Sequence, residues 1–291
     1  MPGQLKEVRN RIRSVQSTQQ ITRAMKMVSA SKLRRATDRI IKMRPYANKM
    51  LEVLSNIASG SGVNIALAKE RPIKKVLIVL VTSDRGLAGA FNSTLIKMAK
   101  QLIGEKYSEQ ARAGNVTIMP VGRRAYDSFR RLRYPMKSDY YELFLHLDFN
   151  HSLAASEWLR QSYANEEYDM IEIVYAQFKN AATQIFQVER FLPILKSAPS
   201  KKKETINFIF EPDQDELINE IIPKVLNTQF FKVLLDSNAS EHGARMTAMD
   251  KATENAQELL RDLSIKYNRA RQAAITTELT EIVGGAAALE G

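Results

Sequence analysis

Two long stretches of this chain, one at each end, carry the heptad spacing of coiled-coil helices, and ordinary globular sequence separates them. Such spacing keeps one stripe of each helix toward one partner and predicts left-handed supercoiling. The two ends are therefore predicted to pair as an antiparallel coiled coil with a domain inserted between them. The first stripe is Leu33, Ala36, Ile40, Met43, Ala47, Met50, Leu54 and Ile57. The second is Leu235, Ala239, His242, Met246, Met249, Thr253, Ala256, Leu260, Leu263, Tyr267, Ala270 and Ala274.

The beginning of the first helix, which is predicted over about residues 3–57, carries a second pattern. An opening apolar stripe is followed by a polar run over residues 16–20, and another stripe then begins. This phase shift predicts that the helix changes partners along its length. The opening stripe is Leu5, Val8, Ile12 and Val15, and the second is Ile21, Met25 and Val28.

Proline residues interrupt both helical patterns. Pro45 removes one backbone hydrogen bond inside the first pattern, which predicts a kink or a local break there. The last helix is predicted to open at residues 212–213 and to reach about residue 288. Pro223 lies close to that start, so a break after the first turn is expected.

The formal net charge of +11 belongs entirely to the first helix. Residues 1–50 hold thirteen lysines and arginines but only Glu7 and Asp38 as acidic residues, whereas the rest of the chain is balanced. This excess indicates contact with something acidic, such as nucleic acid, anionic lipid or an acidic protein loop. A solvated helix face is the alternative, although such a face usually mixes both signs. Residues 19–35 lack aromatic side chains for base stacking, which counts against nucleic acid.

Composition excludes several chemistries. The absence of cysteine excludes disulfides, thiolate zinc sites and thiol nucleophiles. The three histidines, His146, His151 and His242, include no pair at the spacing of a helical metal site. No run approaches the roughly 18 apolar residues of a membrane-spanning helix, and the charged start has no signal-peptide core. We therefore expect a soluble, cytosolic protein, and docking onto a membrane complex remains open to it.

The middle of the chain alternates strands with helices, which predicts an α/β domain around a parallel sheet. The run over 75–82 is nearly continuously apolar, as in a strand buried on both faces. A hairpin is expected around residues 179–182. Further strands are predicted over 116–121, 170–175, 183–195 and 205–210, and helices over 90–103, around 125–129 and over 154–163.

The predicted fold class is therefore α/β: a long antiparallel coiled coil of the N- and C-terminal helices with an inserted Rossmann-like α/β domain. The expected division is an N-terminal helix over 1–58, a linker over 59–73, the α/β domain over 74–211 and a C-terminal helix over 212–291.

The turn after the first strand occupies the position where phosphate-binding loops usually lie. It lacks both the glycine spacing of the dinucleotide fingerprint and the Gly-Lys-Ser/Thr of a P-loop. We interpret Gly86 and Gly89 as residues that permit a tight turn, while Asp84 and Asn92 bond backbone groups around it. An α/β enzyme with helical extensions remains an alternative that depends on this turn alone.

The C-terminal residues 270–288 combine a dense polar cluster with a taper to glycine and alanine. Small residues reduce bulk and friction where a helix end enters a narrow cavity. A frayed alanine-rich terminus is the alternative, and it explains the final residues but not the polar cluster. That cluster consists of Arg271, Gln272, Thr276, Glu278, Thr280 and Glu281.

Together these segments resemble the gamma subunit family of the F-type ATP synthase over essentially the whole chain. The resemblance is most specific at the C-terminal signature of residues 275–282 with 284–286. Ala88 departs from the cysteine common in the family's middle motif, and no cysteine-bearing regulatory insert is present. The other matching positions are residues 21–28, 31–35, 83–87, Gly89, Phe91, Asn92, 240–242 and 244–246.

The resemblance implies a central rotor shaft that couples proton-driven rotation of the membrane c-ring to conformational change in the catalytic alpha–beta hexamer. It implies alpha, beta, epsilon and c-ring partners, and a peripheral position on the cytoplasmic face of the bacterial inner membrane. It also implies no catalytic residue, cofactor or metal on this chain, with ATP bound by other subunits. A basic coiled-coil nucleic-acid-binding protein is the alternative function.

By the same resemblance, seven residues are expected to contact the beta subunit. Met25 and the basic residues around it, including Lys26, would face an acidic loop of beta. Arg271 and Gln272 would engage the beta catch loop, with Thr276, Glu278 and Glu281 nearby.

Overall fold

The computed structural model describes residues 2–59, 66–194 and 214–290, with side chains described over 5–50, 67–194 and 220–286. The chain divides into two compact units. We call the first the coil unit; it comprises the residues up to Ser29 and those from Met246 onward. We call the second the sheet unit; it comprises Ala30–Arg245.

Two long helices at the ends of the chain confirm the predicted coiled-coil elements. Helix α1 spans Pro2–Ser59 and helix α6 spans Gln214–Glu290. Within the coil unit, Arg9 contacts Tyr267 and Thr22 contacts Thr253. Because the residue number falls on α6 as it rises on α1, the two helices are antiparallel, as predicted.

The sheet unit contains a four-stranded sheet with strand order β2-β1-β3-β4. The strands are β1 (Val76–Val81), β2 (Val116–Val121), β3 (Met170–Phe178) and β4 (Gln184–Leu192). Strand β1 is parallel to both β2 and β3, whereas β4 is antiparallel to β3. The parallel core and the hairpin at 179–182 were both predicted. The hairpin turn is held by Asn180, whose Oδ1 accepts the backbone N–H groups of Ala182 at 3.0 Å and Thr183 at 2.7 Å.

Helices cover both faces of this sheet, which explains why β1 is apolar at every position. Val76, Ile78 and Leu80 pack toward α2 (Phe91–Lys106) and α4 (Arg123–Arg131). The alternate residues of β1 pack toward α5 (Phe149–Ala164) and the start of α6. Burial of each such side chain stabilises the fold by about 1.5–3 kcal/mol. Shorter elements are α3 (Ser108–Arg112) and 3-10 turns at Ala66–Ala68 and Leu143–His146.

Neither proline ends a helix, so the break predicted at Pro223 was wrong. At Pro45 the helix is not broken either, and the kink predicted there as the other outcome stays a prediction. Helix α1 continues past Pro45, and α6 begins nine residues before Pro223 and continues past it. Tertiary packing provides the reason. Ile222 and Val225 are buried beside Pro223, and Arg44 beside Pro45 donates to the Phe178 carbonyl at 2.6 Å. These contacts offset the lost backbone hydrogen bond.

Two sequence predictions fall wholly or partly outside the described residues. The strand expected over 205–210 lies there entirely. The four-part division of the chain into 1–58, 59–73, 74–211 and 212–291 stays a prediction, because the linker and the end of the α/β segment fall largely outside the described part.

Candidate partner-binding surface

The seam between the two helices of the coil unit is continuous, so the predicted phase shift after Val15 was wrong. After the opening apolar stripe, half-buried or buried positions follow at unbroken steps of three and four, but polar residues occupy them: Gln19, Thr22, Lys26 and Ser29. Ile21 and Val28, which were assigned to the second stripe, are 60% and 56% exposed. The helix therefore keeps one partner through this region.

Polar residues suit this seam because their side chains bond within the coil. The Thr22 hydroxyl donates to the Gln19 carbonyl at 3.0 Å, and Ser29 donates to the Met25 carbonyl at 2.8 Å. The Thr253 Oγ1 lies 2.8 Å from the Thr22 Oγ1 across the seam. Short side chains with satisfied hydroxyl groups let the two backbones approach closely.

The first predicted contact region, Met25 and Lys26, lies on this polar seam. Met25 is half-buried, and the Lys26 ammonium pairs with Asp250 of α6. Both partners of this pair stay over 40% exposed, at 41% and 45%. Lys26 is therefore engaged within the coil and still open to solvent.

The second predicted contact region lies far along α6 from the first. Arg271 is 21 residues beyond Asp250, which at about 1.5 Å per residue is roughly 30 Å. The structure therefore places the seven predicted residues in two separate patches. The residues of the second patch, Arg271, Gln272, Thr276, Glu278 and Glu281, are all exposed.

Within the described part of the chain, the register of the coil takes the end of α6 past the start of α1. Arg9 donates to the Tyr267 hydroxyl at 2.8 Å, and α1 begins only seven residues earlier, at Pro2. Positions beyond about residue 274 consequently extend past the start of α1. We call residues 275–286 the exposed tip.

The exposed tip carries an apolar stripe that was not predicted from the sequence. Ile275, Leu279, Ile282 and Val283 are 48%, 57%, 68% and 67% exposed. Their spacing of four, seven and eight residues from Ile275 places them on one helix face. That spacing is visible in the sequence, but only the register shows that it lies beyond the part of α1 whose side chains are described. A face of this kind on an isolated helix indicates a binding surface for another chain.

The turn at residues 83–92, which lies in the sheet unit, is structural. The Asn92 Oδ1 accepts the Ser83 backbone N–H at 3.0 Å, and the Asp84 Oδ1 accepts that of Arg123 at 3.1 Å. Both interactions confirm the predicted backbone-bonding roles. Burial raises the pKa of Asp84 above its usual range.

The glycines of that turn behave differently from one another. Gly89 takes the left-handed conformation with φ 58°, as expected, but the other residue with positive φ is Leu87, at 63°. A Cβ at Gly86 would lie 2.4 Å from a guanidinium nitrogen of Arg124, which is the far end of a flexible side chain and can move aside. Gly86 lies in a bend of the same turn, and the role predicted for it stays a prediction.

A buried charged cluster of the sheet unit joins α6 to this turn. Arg245 pairs with Glu241 and donates to the backbone carbonyls of Arg85 at 3.0 Å and Gly86 at 3.3 Å. Burial raises the pKa of Glu241. Burial, followed by the neighbouring cations Arg245, Lys32 and Arg35, lowers the pKa of His242 to about 4, so this imidazole is neutral at pH 7.

Neither a metal site nor a membrane span is found in the described part of the chain. The rings of His146 and His151 stack at 6.0 Å, a proximity that the sequence analysis did not foresee. Even so, no group of three or more potential metal ligands occurs among the described residues. None of the helices searched there is long and apolar enough to cross a membrane.

These observations define an α/β protein with a long antiparallel coiled coil whose last helix presents an uncovered end. The family model described as ATP synthase matches residues 4–289. The ATP synthase gamma chain of Cytophaga hutchinsonii is 53% identical, covering 99% of both chains. Those of Christiangramia forsetii and Chloroherpeton thalassium are 50% and 48% identical, with coverage of 99% and 98% of both chains. The chain belongs to the family of ATP synthase gamma chains.

Solved structures share the fold. A chain of the Euglena gracilis mitochondrial ATP synthase superposes with a TM-score of 0.69 at 19% identity, covering 99% of this chain and 95% of that one. A chain from the central stalk and c-ring structure of the Tetrahymena thermophila enzyme gives a TM-score of 0.57 at 24% identity, covering 80% of this chain and 99% of that one.

Proposed function

We propose that this chain is the central rotor shaft of an ATP synthase and transmits rotation between a membrane c-ring and a catalytic alpha–beta hexamer. Family membership supports the assignment to that complex. The observation that carries the mechanism is the exposed tip, where α6 extends beyond α1 with one apolar face and several charged or polar side chains.

A rotor requires a tip whose surface differs from one side to the other. A shaft changes the populations of the catalytic conformations only if it contacts them unequally. The apolar stripe of Ile275 and Leu279 occupies one face of the helix, while Glu278 and Glu281 stand beside it. Each orientation of the tip would therefore present a different surface to a given beta subunit.

The contact residues proposed for beta fall into the two patches of the coil unit. Arg271 and Gln272, with Thr276, Glu278 and Glu281, form the distal contact. Met25 and Lys26 form the proximal contact, where Lys26 would exchange its exposed pair with Asp250 for an acidic loop of beta. Exposed ion pairs contribute little to stability, so opening the pair between Lys26 and Asp250 would cost little free energy.

The chain is proposed to have no active site of its own. The polar groups of the turn at residues 83–92 bond to backbone groups and hold the loop, which removes the basis for the α/β-enzyme alternative. Epsilon and the c-ring complete the proposed set of partners. The proposed location is the cytoplasmic face of a bacterial inner membrane, reached through the complex.

Nothing in the fold or in the comparisons favours the nucleic-acid-binding alternative. Several basic side chains of α1 already bond within the chain: Arg9 to Tyr267, Lys26 to Asp250 and Arg44 to Asp236.

Reconstitution of the full complex tests the proposal. Arg271→Ala combined with Gln272→Ala should lower coupled ATP synthesis in proteoliposomes while the chain stays folded, because both residues are exposed. Lys97→Ala with Gln101→Ala, two exposed residues of α2, serves as the matched control and should leave synthesis unchanged. Unchanged synthesis in the first variant would refute the distal contact. ATP turnover by the purified chain alone would refute the non-catalytic role.

A further inference from the structure

A groove of about 380 Å³ in the sheet unit has no role in the function proposed above. It lies between three helices: the second half of α1, the start of α5 and the first third of α6. Its buried or half-buried floor and its exposed rim differ in character. The floor is Met43, Leu147, Phe231 and Leu235, and the rim is Arg39, Lys42, Asp148 and Phe149.

The floor and one wall of this groove are apolar. Phe149 leaves 39% of its surface exposed although it packs edge-on against Phe231, with the ring centroids 5.5 Å apart. An aromatic ring that is open to solvent above an apolar floor gains free energy when another apolar group covers it.

The rim carries free positive charge. Arg39 and Lys42 are exposed, and neither forms an ion pair within the described part of the chain. The Asp148 carboxylate is already engaged, because it accepts the His151 backbone N–H at 2.8 Å and lies 2.6 Å from the His151 Nδ1. These bonds lower the pKa of Asp148. The charge available to a ligand at this rim is therefore positive.

We propose that this groove binds an acidic amphipathic helix of another protein chain. Apolar side chains at helical spacing would cover Phe149 and the floor, and carboxylates on the flanks would meet Arg39 and Lys42. Walls made of helices suit an inserted helix, since ridges of side chains pack into grooves between helices. This inference stands apart from the proposed rotor function, because the isolated chain suffices to test it.

A synthetic peptide provides the first test. The probe is a fluorescein-labelled helical peptide with leucine at positions i, i+3, i+4 and i+7 and glutamate on its flanks. A matched peptide carries lysine in place of glutamate. Fluorescence anisotropy with the full chain should show binding of the acidic peptide at least about tenfold tighter than that of the basic one, with a gap that narrows as salt rises.

Charge reversal identifies the site. Arg39→Glu with Lys42→Glu should weaken binding of the acidic peptide at least about tenfold. Lys97→Glu with Lys100→Glu makes the same charge change on exposed residues of α2 and should leave affinity within about twofold, because rim charges act locally at physiological salt. Phe149→Ser should weaken binding of the acidic peptide, because it removes an apolar contact. A thermal unfolding transition confirms that this variant is folded.

Three results would overturn the proposal. The first is an equal effect of both charge reversals. The second is a concentration-dependent dimer in light scattering that Phe149→Ser abolishes, since the groove would then bind a second copy of this chain. The third is binding to phosphatidylserine vesicles that Arg39→Glu with Lys42→Glu abolishes while the peptide does not bind.

Discussion

The coil unit and the sheet unit use the same kinds of side chain in opposite ways. The ion pair of the coil unit, Lys26 with Asp250, is 41% and 45% exposed, whereas Glu241 and Arg245 of the sheet unit are 9% and 11% exposed. Large apolar residues fill the sheet unit but stand uncovered on the exposed tip. The buried side chains of the sheet unit serve its own fold, and its exposed exceptions include Arg39, Lys42 and Phe149 at the groove. The side chains of the coil unit leave much of their surface available to other chains.

The two ion pairs give the sharpest test of this contrast. Arg245→Ala leaves Glu241 buried without a partner and should lower the free energy of unfolding by about 3–5 kcal/mol. Lys26→Ala in the coil unit should cost less than about 1 kcal/mol. Urea unfolding followed by the single tryptophan, Trp158, reports on the sheet unit, and far-UV circular dichroism reports on all helices.

A double variant separates the lost pair from the lost packing. Glu241→Gln with Arg245→Met removes the buried charge and should recover most of the stability lost by Arg245→Ala. Equal losses for Arg245→Ala and Lys26→Ala would break the comparison between the two units.

Two glycines of the sheet unit test how far its backbone is constrained. At Gly122, with φ 100°, an added Cβ would lie 2.2 Å from the Thr82 carbonyl oxygen. Gly122→Ala should therefore destabilise by about 3 kcal/mol or more. Gly114, with φ 72° and no atom within 4 Å of such a Cβ, is the matched control, and Gly114→Ala should cost about 1 kcal/mol. A similar midpoint of urea unfolding for both variants would show that contact with Thr82 is unimportant.

The buried imidazole of His242 predicts a pH dependence that the exposed groups of the coil do not share. Its pKa falls from 6.5 to about 4 on folding. Above pH 6.5 both states are neutral at this group and stability is unaffected. Between pH 6.5 and about 4 the unfolded chain binds a proton that the folded chain excludes, so stability falls as pH falls, by up to about 3 kcal/mol.

The variant His242→Gln isolates that contribution. Subtracting its urea-unfolding free energies from those of the parent chain at each pH should reveal the loss between pH 6.5 and about 4. Carboxylates with pKa values raised by burial, such as Asp236, contribute equally to both chains and cancel. Parallel pH profiles for the parent and the variant would mean that His242 is protonated as readily in the folded chain as in the unfolded one.

The smallest effect is expected at the polar seam of the coil unit. Thr22→Val or Thr253→Val alone should cost less than about 1 kcal/mol, since each removes a single neutral hydroxyl group from the seam. The double variant should be nearly neutral, and the cycle should give a coupling free energy of about 0.5 kcal/mol by thermal unfolding. No coupling would indicate that the 2.8 Å contact between the hydroxyls contributes nothing.

Local patterns predicted the elements of the sheet unit well, because burial on both faces leaves an unmistakable apolar run in β1. Local patterns were misleading in the coil unit. They predicted Ile21 and Val28 in the seam between the two helices, but Thr22 and Ser29 occupy it. Hydroxyl groups that bond to their own helix can occupy a seam, and apolar residues such as Ile21 and Val28 can face solvent. A single sequence does not separate these cases.

At the end of α6, the sequence indicated the polar residues of the candidate surface but not the apolar stripe beside them. The exposed tip follows from the register of α6 against α1, and that register depends on contacts between residues far apart in sequence, such as Arg9 with Tyr267. The expectation that proline breaks a helix failed for a related reason. Tertiary contacts around Pro45 and Pro223 outweigh the local cost of the missing backbone hydrogen bond.

The apolar stripe of the exposed tip also bears on how a cell must produce this chain. On every newly made copy, an exposed apolar patch that favours aggregation is present until another chain covers it. This patch consists of Ile275, Leu279, Ile282 and Val283. Synthesis must then be matched in time and amount to that of the covering chains. Surplus copies would pass to chaperones and proteases.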